Sequence, residues 1–126
     1  MEGMTSGDPL LHARALVLED LSAAGLVDPH TVSLVEECVS SRRWWLSQWQ
    51  QGEAYVEGLV AQDVQDALFD ESRRWPVCAG CLDPIEHSLA IEPELGPDPH
   101  WVCSESGAVV AALGRLANGR GGPATS

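Results

Sequence analysis

The stretch Arg73-Arg74-Trp75-Pro76-Val77-Cys78-Ala79-Gly80-Cys81 divides the chain into two kinds of sequence. Before it, apolar residues recur at helical spacing. After it that spacing stops and prolines crowd in, at Pro76, Pro84, Pro93, Pro97 and Pro99. The Cys78-Ala79-Gly80-Cys81 loop is the arrangement a metal knuckle wants. Two thiolates converge on one ion, and glycine before the second cysteine relieves the steric cost of the tight turn.

Working back from this boundary, three amphipathic segments with short links predict three helices. Asp8-Pro9 reads as an N-cap followed by proline in the first turn. The first helix is expected over Leu10 to Leu26, with Leu11, Ala15, Leu18, Leu21 and Ala24 on one face and Gly25 as its C-cap. Asp28-Pro29 repeats the start signal. From His30 onward, Val32, Val35, Val39, Leu46 and Trp49 form a stripe whose middle is weakened by Ser40-Ser41-Arg42-Arg43, and Gly52 stops it. A third helix is expected from Glu53 to Asp70, with Val56, Leu59, Val60, Val64, Ala67 and Leu68 on its apolar face. Such a region reads as a helical hairpin or three-helix bundle.

Forward from the boundary, strand character is found at Ser88 to Glu92, His100 to Cys103 and Ala108 to Leu113. Ser104-Glu105-Ser106-Gly107 is a tight turn that makes the last two a hairpin. The expected fold class is therefore α+β: a disordered N-terminus over 1–8, a helical region over 9–72, a small antiparallel β module over 73–116 and a disordered tail over 117–126. A fragment of some 40 residues rarely folds without a staple. Here the staple is read as one structural Zn²⁺ on Cys78, Cys81 and Cys103. For the fourth ligand His87, at the mouth of the first strand, is preferred over His100, which falls on the strand face opposite Cys103. Water, Asp83 and Glu86 stay open as alternatives. Cys38, within the second helix, reads as a buried small hydrophobe.

The segment from Arg74-Trp75-Pro76-Val77-Cys78 through Trp101-Val102-Cys103-Ser104-Glu105-Ser106-Gly107 to Ala108-Val109-Val110-Ala111 resembles the tail of a set of small actinobacterial proteins. Those sequences share a W-P-x-C start, a His followed by a Leu, a W-x-C-P-x-x-G turn and a V-A stretch. The resemblance implies a metal knuckle and no established activity. It carries Cys78 and Cys103 over as the firmest ligands, with Cys81 at a position that is Cys or His in such sequences, and His87-Ser88-Leu89 as the histidine element. Ser104 stands where proline is usual. More broadly the module resembles a zinc ribbon, C-x-x-C-G in its second knuckle, from which this chain departs at Ser106.

The 126 residues carry a net charge of -12, with 13 acids against 5 bases up to Arg74 and 6 against 2 beyond it. A nucleic-acid binder needs cations to displace the counterions condensed on phosphate, so this balance argues against one and favours a basic protein partner. No apolar run is long enough for a membrane span, and the first eight residues lack a secretory pattern, so a cytoplasmic location is expected. In that reducing compartment paired cysteines point to metal or redox chemistry. Trp75 and Trp101 are expected to form a mini-core under the metal. Trp44 and Trp45, beside Arg42 and Arg43, form a candidate partner-binding patch. His12 and His30 read as surface residues without partners. No catalytic constellation is present. The functional expectation is a non-enzymatic, acidic zinc protein acting as an adaptor or regulatory subunit. A thiol redox protein or open-site metalloenzyme is the alternative, and a nucleic-acid-binding ribbon a further one.

Overall fold

The computed structural model describes residues 8–78, 87–93, 95–96 and 98–117. Three helices lead into a three-stranded antiparallel sheet, the α+β fold that the sequence predicts. Helix α1 spans Pro9–Ala23, and the Asp8 carboxylate accepts from the amides of Leu10 and Leu11 at 3.0 and 3.3 Å. Its end is a Schellman motif: Gly25, at φ +72°, donates to Ser22, and Leu26 donates to Leu21. The buried face is Leu10, Ala13, Val17, Asp20 and Leu21, one position round from the expected stripe, so Leu11 and Ala15 face solvent. The reason is Asp20. Its carboxylate is buried with hydrogen bonds, so the true core stripe contains a charge that apolar periodicity rejects.

Helix α2 spans Pro29–Gln48, capped by Asp28 through the Thr31 amide at 2.8 Å, and it runs unbroken through Ser40-Ser41-Arg42-Arg43. Gln50–Tyr55 then form a 3-10 segment, and helix α3 covers Val56–Asp70, three residues later than expected. Gly52 sits within the 3-10 segment against the Trp45 ring. Ser72, at φ +63°, ends α3 with the same pattern as Gly25: Ser72 donates to Phe69 and Arg73 to Leu68.

The strands are β1 (Leu89–Glu92), β2 (His100–Cys103) and β3 (Val109–Ala112), in the order β1-β2-β3. Their pairing puts Leu89 opposite Cys103, Ile91 opposite Trp101, and Trp101 opposite Ala111. The Ser104–Gly107 turn closes the β2–β3 hairpin as expected, with Gly107 donating to the Cys103 carbonyl at 2.9 Å. Helices and sheet share one core. Val17, Leu21, Val60, Val64 and Leu68 belong to the same buried cluster as Trp75, Leu89, Ile91, Trp101 and Leu113. Trp75 and Trp101 thus do not form a separate mini-core. Their rings meet edge to face at 5.3 Å, both completely enclosed, in the seam between the helices and the sheet. The expected disordered ends, apart from Asp8 and Ala117, lie outside the described residues. No helix among the described residues is long and apolar enough to cross a membrane.

Candidate metal centre

Backbone pairing assembles the site. The Pro76–Cys78 segment runs antiparallel to His87–Leu89: Leu89 donates to Pro76 at 2.8 Å, Cys78 donates to His87 at 2.9 Å, and Val77 bridges to Ser88. This sets Cys78 opposite His87. The β1–β2 register then brings Cys103 opposite Leu89, two residues along. The ligand atoms of Cys78, His87 and Cys103 all lie within 4.8 Å of one another. His87 Nε2 is 3.4 Å from Cys103 Sγ. Among the described residues no other group of three His, Cys, Asp or Glu converges this closely.

The Cys103 sulfur is prepared as a thiolate. Ser106, by side chain and by its amide at 3.3 Å, holds the thiol down to about pKa 5, against desolvation and with help from His87 and the Glu105 amide. Amides aimed at sulfur from a tight turn are what a metal knuckle supplies. Ser106, the residue by which the chain departs from a zinc ribbon, therefore serves the sulfur as a donor. Ser104, which replaces the usual proline, donates its hydroxyl to the Ser88 carbonyl at 2.9 Å and ties the turn to the His87 segment.

Tetrahedral zinc bonds of about 2.3 Å to sulfur and 2.0–2.1 Å to nitrogen imply N···S edges of about 3.6 Å and S···S edges of about 3.8 Å. The 3.4 Å His87–Cys103 separation is close to such an edge. Cys103 is buried, whereas Cys78 and His87 are half-buried. Cys81, expected as a ligand, lies outside the described residues, as do the alternatives Asp83 and Glu86. His100 is not in the group; its Nδ1–H donates to the Asp98 carbonyl at 2.8 Å.

The expected partner patch is partly taken up internally. Arg42 makes a two-pronged ion pair with Asp63, at 2.6 and 3.0 Å, and its guanidinium lies 5.2 Å from the Trp45 ring centre. Arg43 reaches Asp8 at 3.2 Å. Trp45 stacks edge-on to Trp49 at 5.3 Å, while Trp44 points outward, 68% exposed. Cys38 is half-buried, and burial together with the Asp63 and Glu37 carboxylates pushes its thiol up to about 11, as an inert cysteine should be. His12 and His30 are on the surface but have partners after all: His12 Nδ1 meets Glu57 at 2.6 Å and His30 Nε2 meets Glu71 at 2.8 Å. Helix packing brings these acids across from α3 and from its end, which no local reading of the chain reveals.

Asp20 escaped the sequence reading. Its Oδ2 accepts from the Trp101 indole and the Gly114 amide, both at 2.7 Å, and its Oδ1 accepts from the Leu116 amide at 2.9 Å. The one available signal was its position three residues after Val17 in the 10-13-17 spacing, where a charge needs buried donors.

No curated protein and no solved structure matches the chain. A sequence family described as a domain of unknown function, DUF8819, matches residues 6–113, which takes in all three helices, the whole sheet and the Cys78–His87–Cys103 group, and the chain belongs to that family.

Proposed function

We propose that this chain is a small acidic binding module, an adaptor or regulatory subunit, whose β unit is stapled by one structural Zn²⁺ held by Cys78, Cys81, His87 and Cys103. The observation that carries the metal reading is the convergence of one imidazole and two thiols within 4.8 Å. Soft sulfur and nitrogen ligands select zinc over calcium or magnesium. Two of these ligands come from segments far apart in sequence, so an ion there joins the chain just after α3 to the β2–β3 hairpin. Such a cross-link stabilises a sheet of only three short strands. The binding role draws support from two features: the charge of -12 suits a basic partner, and Trp44 is left in water beside a helix groove.

Metal analysis of the purified protein, with Co²⁺ replacement, tests the metal reading. The expected result is one zinc per chain and a Co²⁺ spectrum with sulfur-to-metal charge transfer and the intense visible bands of a tetrahedral site. A metal-free protein whose thiols cycle between dithiol and disulfide would overturn it in favour of redox chemistry.

A further inference from the structure

Trp44 is the most exposed large apolar side chain among the described residues. It borders a shallow groove of about 490 Å³ lined by Glu37, Cys38, Ser41 and Trp45 of α2 and by the Arg42–Asp63 pair that links α2 to α3. Arg42 is committed there, held by Asp63 and lying over Trp45, and Arg43 is committed to Asp8. Neither is offered to a ligand. The charge that the groove does offer is Glu37, an exposed carboxylate without an ion pair among the described residues. An aromatic face and an uncommitted acid, on a strongly acidic protein, complement a cation carried on an apolar stem.

We infer that this groove docks a basic segment of a partner protein, one cationic side chain lying on the Trp44 indole and a second meeting Glu37. The inference rests on the reading of the chain as a binding module and supplies the chemistry of its partner. Glu37 and Trp44 are seven residues apart on one helix, about 10 Å along its axis. Two arginines three residues apart in an extended polyproline-like peptide span about 9 Å on one face, which matches. Arginine suits both positions, because its guanidinium stacks on indole and pairs with carboxylate.

The test is a fluorescence titration of the full chain with a synthetic peptide carrying two arginines separated by two residues. Counterparts with glutamine or glutamate in place of arginine serve as comparisons. The expected result is binding of the arginine peptide alone, weakened about two- to fivefold by either Trp44→Ala or Glu37→Gln, a loss of the size one exposed cation–π or ion-pair contact contributes. Glu92→Gln, which removes an exposed acid from the sheet, should leave it unchanged. Equal weakening by Glu37→Gln and Glu92→Gln would reduce the binding to bulk charge and overturn the inference. Binding of the glutamine peptide with the same loss on Trp44→Ala would keep a docking surface but overturn its basic partner. No binding of any peptide would overturn the inference and count against the binding-module reading. Zinc content, measured on the same samples, reports separately on the metal.

Discussion

The Trp101 indole N–H donates to Asp20 Oδ2 at 2.7 Å, and this single bond joins the middle strand of the sheet to the first helix. The same carboxylate accepts the amides of Gly114 and Leu116, which fixes the chain leaving β3. Trp75 adds its indole N–H to the Asp20 carbonyl at 3.4 Å. One residue of α1 therefore gathers donors from both sides of the β module. The clasp lies close to the metal group in sequence: Trp75 precedes Cys78 by three residues, and Trp101 precedes Cys103 by two.

Removing the Asp20 carboxylate strands three donors at once, the Trp101 indole and the Leu116 amide buried and the Gly114 amide half-buried. Asp20→Ala should cost about 3 kcal/mol or more, since each buried unsatisfied group costs about 1–3 kcal/mol. Asp20→Asn keeps the shape and one acceptor but turns an amide N–H₂ toward a donor. Its cost should be smaller, about 1–2 kcal/mol. Urea unfolding followed by circular dichroism measures both, and equal stability of Asp20→Ala and the parent would show that the clasp is not stabilising.

The same residue has a pH signature. Burial raises the Asp20 pKa above the ordinary 3.8, and the hydrogen bonds from Trp101, Leu116 and Gly114 only partly oppose this. A folded-state pKa above the unfolded one means that the folded state holds the proton more tightly. The contribution of this titration to stability is thus fully present below 3.8 and is lost as pH rises through the raised value. Asp20→Asn does not titrate there. The stability of the parent relative to Asp20→Asn should therefore fall as pH rises across that window and then level off. A relative stability that climbs with pH instead would mean that the donors outweigh desolvation.

Much of the fold was legible in local chemistry. Asp8-Pro9 and Asp28-Pro29 mark helix starts because an Asp side chain accepts the first free amides and proline needs no donor there, and both caps form. The three strands fall within one residue of their expected limits because turn residues bound them. Strand alternation sets His100 on the face away from Cys103 and His87 stands at the mouth of β1, and it is His87 that joins the group while His100 bonds to Asp98. What stayed hidden depends on tertiary packing. The α1 stripe was misplaced by one position because a hydrogen-bonded charge occupies a core site. The commitments of Arg42, Arg43, His12 and His30 come from residues 21 to 45 positions away, which no local pattern encodes.

Gly114 and Gly25 separate backbone strain from packing. Both have positive φ, +92° and +72°, which a side chain resists. A Cβ on Gly25 would meet nothing within 4 Å, whereas one on Gly114 would lie 2.4 Å from Leu16 Cδ2 and 3.3 Å from Leu16 Cβ. Gly25→Ala should cost about 1 kcal/mol, the backbone share alone. Gly114→Ala should cost about 2–4 kcal/mol, with overpacking added. Its amide also donates to Asp20, so any shift that relieves Leu16 strains the clasp. Thermal melts of the two variants check the difference. Equal losses would show that Leu16 moves aside freely.

The proposed zinc site makes the β module answer to the metal while the helices largely do not. Helices α1 and α2 carry their own aspartate caps, and α1, α2 and α3 pack directly on one another. The strands are four residues each, and the sulfurs of Cys78 and Cys103 lie next to the buried tryptophans in the chain. Stripping zinc with a strong chelator should therefore leave most helical circular dichroism in place. Tryptophan emission should shift to the red as Trp75 and Trp101 meet water. Cys103→Ser should abolish stoichiometric zinc and give the same red shift without chelator. Cys38→Ser, whose parent thiol is held protonated by burial and neighbouring acids, should keep one zinc per chain. Conversely, if Cys103→Ser still binds one zinc, the ion does not sit among Cys78, His87 and Cys103. If chelation leaves tryptophan emission unmoved, the core holds these rings unaided, and the Asp20 clasp rather than the metal maintains the module.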